Sequence, residues 1–208
     1  MSYLRQDNPG LRFFLHYWQQ YCRLEDWHIS WARQHLHVRT PLRKGTLLYQ
    51  EGEKQTNVYL VAKGAIARVE HTETDARRIR SVALPGMALM TTGHLHSRTP
   101  SKGDIIVLHV NTMVLEIPYR PIIEVSQYEM QVKILQSVLT TKKTKQATRL
   151  SRVLQENDPI KRYTLFAQEL PELNDMLTQI EQAELLSISR KSLQRAQYFR
   201  LTGKTPRY

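Results

Sequence analysis

The middle of the chain, residues 39–118, constrains the fold most, because short β-rich runs alternate there with turn residues. The turn signals include Gly45, Gly64 and the pair Thr74-Asp75, and residues of these types favour tight changes of direction. The alternation predicts strands at residues 47–49, 58–62, 65–71, 77–83, 105–110 and 113–117. Many short strands at regular spacing are typical of a closed sandwich or barrel, so we expect one β domain here.

The segment before this region carries apolar and aromatic residues at helical spacing. Leu11, Phe14 and Trp18 fall on one face of a helix, and a second run of the same kind follows Glu25-Asp26. The spacing predicts one or two helices that pack on the β domain. The three tryptophans of the chain all lie in this segment. They could form a ligand cage, but we favour a stripe of core residues.

A long helical pattern begins near Pro121. The apolar residues on it step by three, four, three and four positions: Val125, Tyr128, Val132, Leu135 and Leu139. This heptad spacing requires a partner surface. We predict that these five residues pair two copies of the chain, and packing of the same face on its own β domain is the alternative. Asn157, Asp158 and Pro159 end the helix and open a last domain.

The most informative local motif lies near the C-terminus, at residues 182–195. Two short helical stretches flank a tight turn, and Ser189 has the residue type that begins a helix. Apolar residues fall where two small helices would bury one another, and polar residues fall on the outer side of the second helix: Arg190, Lys191, Gln194 and Arg195. These side chains can bond to base edges and phosphates. The pattern predicts a helix-turn-helix that binds double-stranded DNA.

The charge of the chain agrees with this interpretation. Lys and Arg number 30 against 19 Asp and Glu, which gives a formal net charge of +11. Such a balance favours a polyanionic partner, and nucleic acid is the first choice. From Ser189 onward there are six basic residues and no acidic one, Arg207 among them. We therefore expect Lys204 and its neighbouring cations to lie near phosphate groups.

Other classes of protein fit the composition poorly. The single cysteine, Cys22, cannot form an internal disulfide, and it cannot alone hold an iron–sulfur cluster or a thiolate zinc site. No apolar run reaches the length of a membrane span, and the first residues lack the apolar core of a secretion signal. We expect a cytoplasmic protein with no membrane partner and no cofactor.

The order of these parts resembles the cyclic AMP receptor protein and fumarate-nitrate regulator (CRP/FNR) family of bacterial transcription regulators. Residues 42–53, 58–65 and 84–86 resemble the turn glycines and strands of that family's effector domain. Residues 162–173 look like the divergent branch common among regulators of the Bacteroidetes type.

The resemblance implies an α+β fold in three parts. Residues 1–118 would form N-terminal helices and a β-roll effector domain, that is, a double-stranded β-helix or jelly roll. Residues 119–156 would form a long dimerisation helix, and residues 157–208 a helix-turn-helix domain. The implied function is DNA-binding transcription regulation by a homodimer, with no enzymatic activity. RNA polymerase would be a further partner of an activator, although the sequence marks no surface for it.

The second helix of the motif departs from the family pattern at one position. Ser189, Arg190 and Arg195 match the capping serine and the two arginines of well-known members, whereas Lys191 stands in the place of a glutamate. A glutamate accepts a hydrogen bond from the cytosine amino group, while a lysine can only donate, to guanine or to phosphate. We therefore expect an operator that differs from the usual one at that base pair.

The effector domain lacks a residue that family members need for cyclic nucleotides. Those members resemble one another in a glutamate that holds the ribose hydroxyl and an arginine, followed by serine or threonine, that holds the phosphate. Residues 76–103 contain no acidic residue, so we do not expect cyclic AMP to be the effector. Another anion could use Arg98, Ser101 and Lys102, and a pocket that binds nothing is the equal alternative.

Two other functions remain as alternatives. One is a dimeric sensor module that binds a ligand but no specific DNA sequence. The other is a metal enzyme of the cupin type, in which His94 and His96 on one strand would point to the same side. No carboxylate follows these histidines, and His109 is the only distant third ligand that the pattern offers. We therefore predict no metal site.

Overall fold

The computed structural model describes residues 3–73 and 76–204, and these form eight helices and eight strands. The predicted turn at Thr74-Asp75 and the basic residue Arg207 lie outside the described residues. The helices are α1 Pro9–Gln19, α2 Asp26–His35, α3 Tyr119–Ser126, α4 Met130–Gln155, α5 Pro159–Glu169, α6 Pro171–Met176, α7 Gln179–Leu186 and α8 Arg190–Thr202. The strands are β1 His37–Leu42, β2 Leu47–Tyr49, β3 Asn57–Lys63, β4 Ile66–His71, β5 Arg77–Ala83, β6 Ala88–Met90, β7 Asp104–Val107 and β8 Thr112–Pro118.

The strands form two four-stranded sheets, as the sequence pattern predicts for the β domain. One sheet has the order β1-β8-β3-β6 and the other β2-β7-β4-β5, and the strand pairs β1–β8, β3–β8, β3–β6 and β2–β7 are antiparallel. Consecutive strands alternate between the sheets, except β4 and β5, which are neighbours in the second sheet. The chain therefore winds as a roll rather than as a meander. Together with the helices, this confirms the α+β class.

The core of the roll is formed by the inward residues of both sheets. Tyr59, Ile66, Ile105 and Val114 are fully buried there. The Tyr59 hydroxyl donates a hydrogen bond of 2.7 Å to the Leu48 carbonyl. Burial is the main cause that raises the pKa of Tyr59 to about 12. The hydroxyl therefore stays protonated and can keep donating.

The chain divides into two compact units. The first comprises the residues up to Arg68 together with Val82–Lys142, and the second comprises Val69–Ser81 together with the residues from Lys143 onward. The roll and the N-terminal helices belong to the first unit, except for residues 69–71 of β4 and residues 77–81 of β5, which belong to the second. The first half of α4 packs with the N-terminal helices, and the domain boundaries at residues 118 and 156 stay a prediction.

The N-terminal helices cover the roll with aromatic residues. Asn8 caps α1, because its side-chain oxygen accepts from the amides of Gly10 and Leu11. Trp18 is fully buried, and its indole Nε1 donates to the Gln131 carbonyl at 3.0 Å. The remaining two tryptophans pack against the same core cluster. The prediction of a core stripe rather than a ligand cage is therefore confirmed.

The helix after Pro121 differs from its prediction in two ways. It is broken, because α3 ends at Ser126 and α4 begins at Met130. In addition, three of the predicted pairing residues, Val125, Val132 and Leu135, are buried within the chain itself, in one core cluster with α1 and α2.

The prediction that Val125, Val132 and Leu135 face a second copy is therefore wrong. Leu139 packs partly on the same cluster, whereas Tyr128 lies between the two helices and is 69% exposed. The physical reason is that heptad spacing specifies an apolar face but not its partner. The aromatic residues of α1 provide that partner within the same chain.

The helical part of the second unit has a small core of its own. Val153, Phe166, Leu186 and Leu193 are fully buried in it. The break predicted before it is confirmed, because Asp158 caps α5 by accepting from the amides at positions 160 and 161. These two hydrogen bonds lower the pKa of Asp158.

None of the helices described here is both long enough and apolar enough to cross a membrane.

Candidate nucleic-acid interface

The first helix of the C-terminal motif is α7, which begins earlier than the sequence pattern suggested. Thr178 and Glu181 form a reciprocal capping box, in which the Thr178 amide donates to the Glu181 carboxylate at 2.9 Å. Gln182, at which the predicted motif starts, is instead buried within α7. Its Nε2 donates to the carbonyls of Asn174 and Leu177 at 2.7 and 3.0 Å.

The turn between the two helices depends on a left-handed residue. Ser187 has φ 54° and ψ 43°, a conformation that costs a residue with a Cβ about 1–2 kcal/mol. The Ile188 amide donates to the Ala183 carbonyl at 3.1 Å. Arg162 supports the turn from α5, because its Nη1 donates to the Leu186 carbonyl at 2.9 Å. The sequence pattern did not identify this arginine.

The second helix, α8, begins where the sequence predicts. Ser189 has extended backbone angles and its Oγ accepts from the Ser192 amide at 3.0 Å, which is the geometry of an N-cap. Leu193 and Ala196 are fully buried against the rest of the unit. Because these two contacts fix the rotation of α8 about its axis, they also fix which side chains point outward.

The outward face carries the predicted DNA-binding residues. Arg190, Lys191, Gln194 and Arg195 are all exposed on α8. Tyr198 lies one turn beyond Arg195 on the same face and is 46% exposed. The sequence interpretation missed this tyrosine, although its three-residue spacing from Arg195 was a usable signal.

The end of α8 lies close to the remaining predicted residue of this interface. The helix stops at Gly203, which has φ 68°. Lys204 follows directly and is exposed. It is thus separated from the base-reading candidates by more than two helical turns, which suits contact with a phosphate.

The face has a positive field with little local compensation. Helix α8 has no acidic residue, and its N-terminus adds the positive end of the helix dipole. The two acidic residues of α7 are engaged elsewhere. Glu181 is buried in the capping box, and Glu184 forms an ion pair of 3.1 Å with Arg77. The arrangement can therefore bind an anion or a polyanion.

The predicted effector residues share one loop, residues 91–103, between β6 and β7. Arg98 and Lys102 are exposed and Ser101 is half-buried. His94 and His96 are exposed in the same loop. The alternative of a cupin-type metal enzyme required these histidines on one strand, and the structure places them in a loop instead. Within residues 3–73 and 76–204, no group of three His, Cys, Asp or Glu side chains could hold a metal ion.

No protein-family model matches the sequence, and no curated protein matches it either. Solved structures do match the fold. FixK2 from Bradyrhizobium japonicum is 18% identical, with a TM-score of 0.64 over 81% of this chain and 86% of that one. The c-di-GMP responsive global regulator CLP of Xanthomonas campestris is 17% identical, with a TM-score of 0.66 over 86% and 93%.

A transcriptional regulator of the CRP family from Thermus thermophilus is a third structure with this fold. It is 15% identical, with a TM-score of 0.61 over 80% of this chain and 87% of that one. Each of these three matches covers at least four-fifths of both chains. The chain thus has the fold of CRP/FNR-type regulators, as the sequence resemblance implies.

Proposed function

We propose that this protein is a homodimeric, DNA-binding transcription regulator of the CRP/FNR type. The observation that carries the proposal is the outward face of α8, where Arg190, Lys191, Gln194 and Arg195 are exposed together. Their direction is fixed by the cap at Ser189 and by buried residues on the opposite side. A helix presented in this way suits insertion into the major groove.

Each outward residue has a chemical role that its donors and acceptors define. Arg190 and Arg195 would each donate two hydrogen bonds to a guanine, and Gln194 would pair with an adenine. Lys191 would donate to guanine or to phosphate, because it has no acceptor. The hydroxyl of Tyr198 and the ammonium of Lys204 would hold phosphates and so fix the position of α8.

The pairing of two copies must use a different face of α4 from the one predicted. The exposed or half-exposed positions of α4 step by four, three, four, three and four residues: Met130, Ile134, Ser137, Thr141, Thr144 and Thr148. This is again heptad spacing, and the small and β-branched side chains allow close approach of two helices. We infer that this face, called the α4 seam below, pairs the subunits.

A two-fold dimer explains how one short recognition helix per subunit, α8, could suffice to bind a specific DNA site. Two copies related by a two-fold axis read two halves of a palindrome, and each half-site adds its own affinity. Such a protein would act in the cytoplasm, by binding rather than by catalysis. RNA polymerase would be its partner at promoters that it activates.

Selection of bound sequences from a random pool of double-stranded DNA tests the proposal. The regulator should enrich a palindrome with half-sites about one helical turn apart. Binding without an enriched sequence, lost steeply as salt rises, would instead indicate general polyanion affinity. That result would refute the regulator and favour the dimeric sensor module.

The selection should be repeated with two arginine variants of α8. Arg195→Ala removes a proposed base contact, whereas Arg200→Ala removes the same charge from an exposed position on the side of α8 that carries Leu193 and Ala196. The consensus should lose one base pair per half-site with the first variant and keep it with the second.

A further inference from the structure

The loop that would hold an effector, residues 91–103, is held instead by Arg68 of β4. The Arg68 Nη1 donates to the carbonyls of Lys102 and Gly103, both at 3.1 Å. Its Nη2 donates to the carbonyl of Met90. One guanidinium thus joins the end of β6 to the residues that lead into β7.

These bonds suit an arginine and no other side chain. The guanidinium is planar, keeps its charge and presents several donors in a fixed fork. Hydrogen bonds from a charged donor are about twice as strong as those between neutral groups. The contact therefore fixes both ends of the loop with a single side chain.

Several backbone amides of the same loop also have acceptors within the chain. The Gly103 amide donates to the Glu51 carboxylate at 2.8 Å, and the Ser101 amide donates to the Thr91 carbonyl at 2.8 Å. The Thr92 amide donates to the Tyr119 hydroxyl at 3.1 Å. A phosphate bound by this loop would need such amides as donors. To use the amides of Gly103, Ser101 and Thr92, it would have to displace the chain's own carboxylate, carbonyl and hydroxyl from them.

The charged side chains of the loop lie at the surface. Arg98 and Lys102 are exposed. Ser101 is half-buried, and its carbonyl accepts from the Tyr49 hydroxyl at 3.4 Å. Of the two alternatives that the sequence left open, these contacts favour a loop that binds no anion.

We propose that Arg68 and Glu51 act as a built-in substitute for an effector. They hold the loop in one conformation from inside the chain, so the roll requires no small anionic ligand. The protein would then bind its DNA site in a ligand-independent manner. This inference goes beyond the proposed DNA binding. The principal test of the inference does not require the protein to bind DNA.

Amide hydrogen exchange in the loop is that principal test. In the wild-type protein the amides of Thr92, Ser101 and Gly103 should be protected, and adding cyclic AMP, cyclic GMP or cyclic di-GMP should leave their exchange unchanged. Arg68→Ala should accelerate exchange at these amides by about tenfold or more, because three charge-assisted bonds are lost. Methylguanidinium should restore the protection in Arg68→Ala, since it can occupy the vacated position.

Two further variants complete the test. Arg98→Ala is the matched control, because Arg98 is an exposed arginine of the same loop, and its exchange should equal that of the wild type. Arg68→Lys keeps the charge without the fork, so it should give an intermediate rate, and it replaces Arg68→Ala if that variant does not fold.

Three results would overturn the proposal. The first is an exchange rate in Arg68→Ala that equals the wild-type rate. Where Arg68→Lys replaces that variant, the same comparison is made with Arg68→Lys. The second is a loss of protection in Arg98→Ala as large as in the Arg68 variant. The third is additional protection of the wild-type loop by any of the nucleotides. DNA binding is not part of these readouts, so its failure would bear only on the proposed function.

Discussion

Arg162 offers a quantitative test of how the helix-turn-helix is held together. Its Nε donates to the Glu156 carbonyl at 2.7 Å and its Nη1 donates to the Leu186 carbonyl at 2.9 Å. The side chain therefore ties the end of α7 to the segment that precedes α5. Arg162→Ala removes both hydrogen bonds and leaves the two carbonyls without these donors.

The expected cost follows from these two bonds. A hydrogen bond from a charged donor contributes about 1.5–3 kcal/mol. Because Arg162 is only half-buried, water can replace part of each bond, and we expect a total loss of about 2–4 kcal/mol. For a chain of this size, that corresponds to a decrease in Tm of roughly 4–16 °C. Exchange of the Ile188 amide, which closes the turn, should accelerate as well.

Thermal unfolding followed by far-ultraviolet circular dichroism, together with amide exchange at Ile188, measures the effect. Lys161→Ala is the control, because Lys161 is the exposed neighbour of Arg162 on the same helix. Arg162→Lys should fall between the two, since a lysine has no fork to reach both carbonyls. Equal stability of Arg162→Ala and Lys161→Ala would refute the reasoning.

Three further predictions concern pairing, pH and the operator. Met130→Glu places a charge on the α4 seam and should convert the dimer to a monomer in sedimentation, whereas Val132→Ala should lower folding stability by about 1–3 kcal/mol without changing the association state. Burial lowers the pKa of His28 below its ordinary value of 6.5, and its Nδ1 accepts from the Glu25 amide at 2.9 Å. The folded state therefore favours the neutral form of His28. The free energy of unfolding, measured by chemical denaturation, should be highest above pH 6.5 and decrease progressively below it. His28→Gln should flatten that dependence. Lys191→Glu should shift the preferred base from guanine to cytosine in a DNA selection, and an unchanged consensus would contradict the proposed role of the lysine.

Local chemistry explains which features the sequence predicts well. Ser189 is a sufficient signal for the start of α8, because an N-cap depends on residues within one turn. Strands β2 and β5 occupy the predicted residues, since both are bounded by turn signals. By contrast, the pattern missed β1 and β6. Strand β6 has only three residues, and β1 contains Pro41, which argues against a strand assignment.

Long-range contacts explain the errors. The spacing of Val132 and Leu135 is the same for a dimer seam and for a helix packed on its own chain, and only the fold decides between them. Arg68 was not identified because its acceptors are backbone carbonyls, which leave no signature in the sequence.

The most direct test of the central claim is the affinity of two α8 variants for single-base variants of the selected operator. Arg195→Ala should lose about 1–3 kcal/mol of discrimination at one base pair and little at the others. Arg200→Ala should keep the full pattern of base preference, with at most a uniform decrease in affinity. If both variants lose affinity equally on every sequence, Arg195 makes only a nonspecific contact and α8 does not read the major groove as proposed.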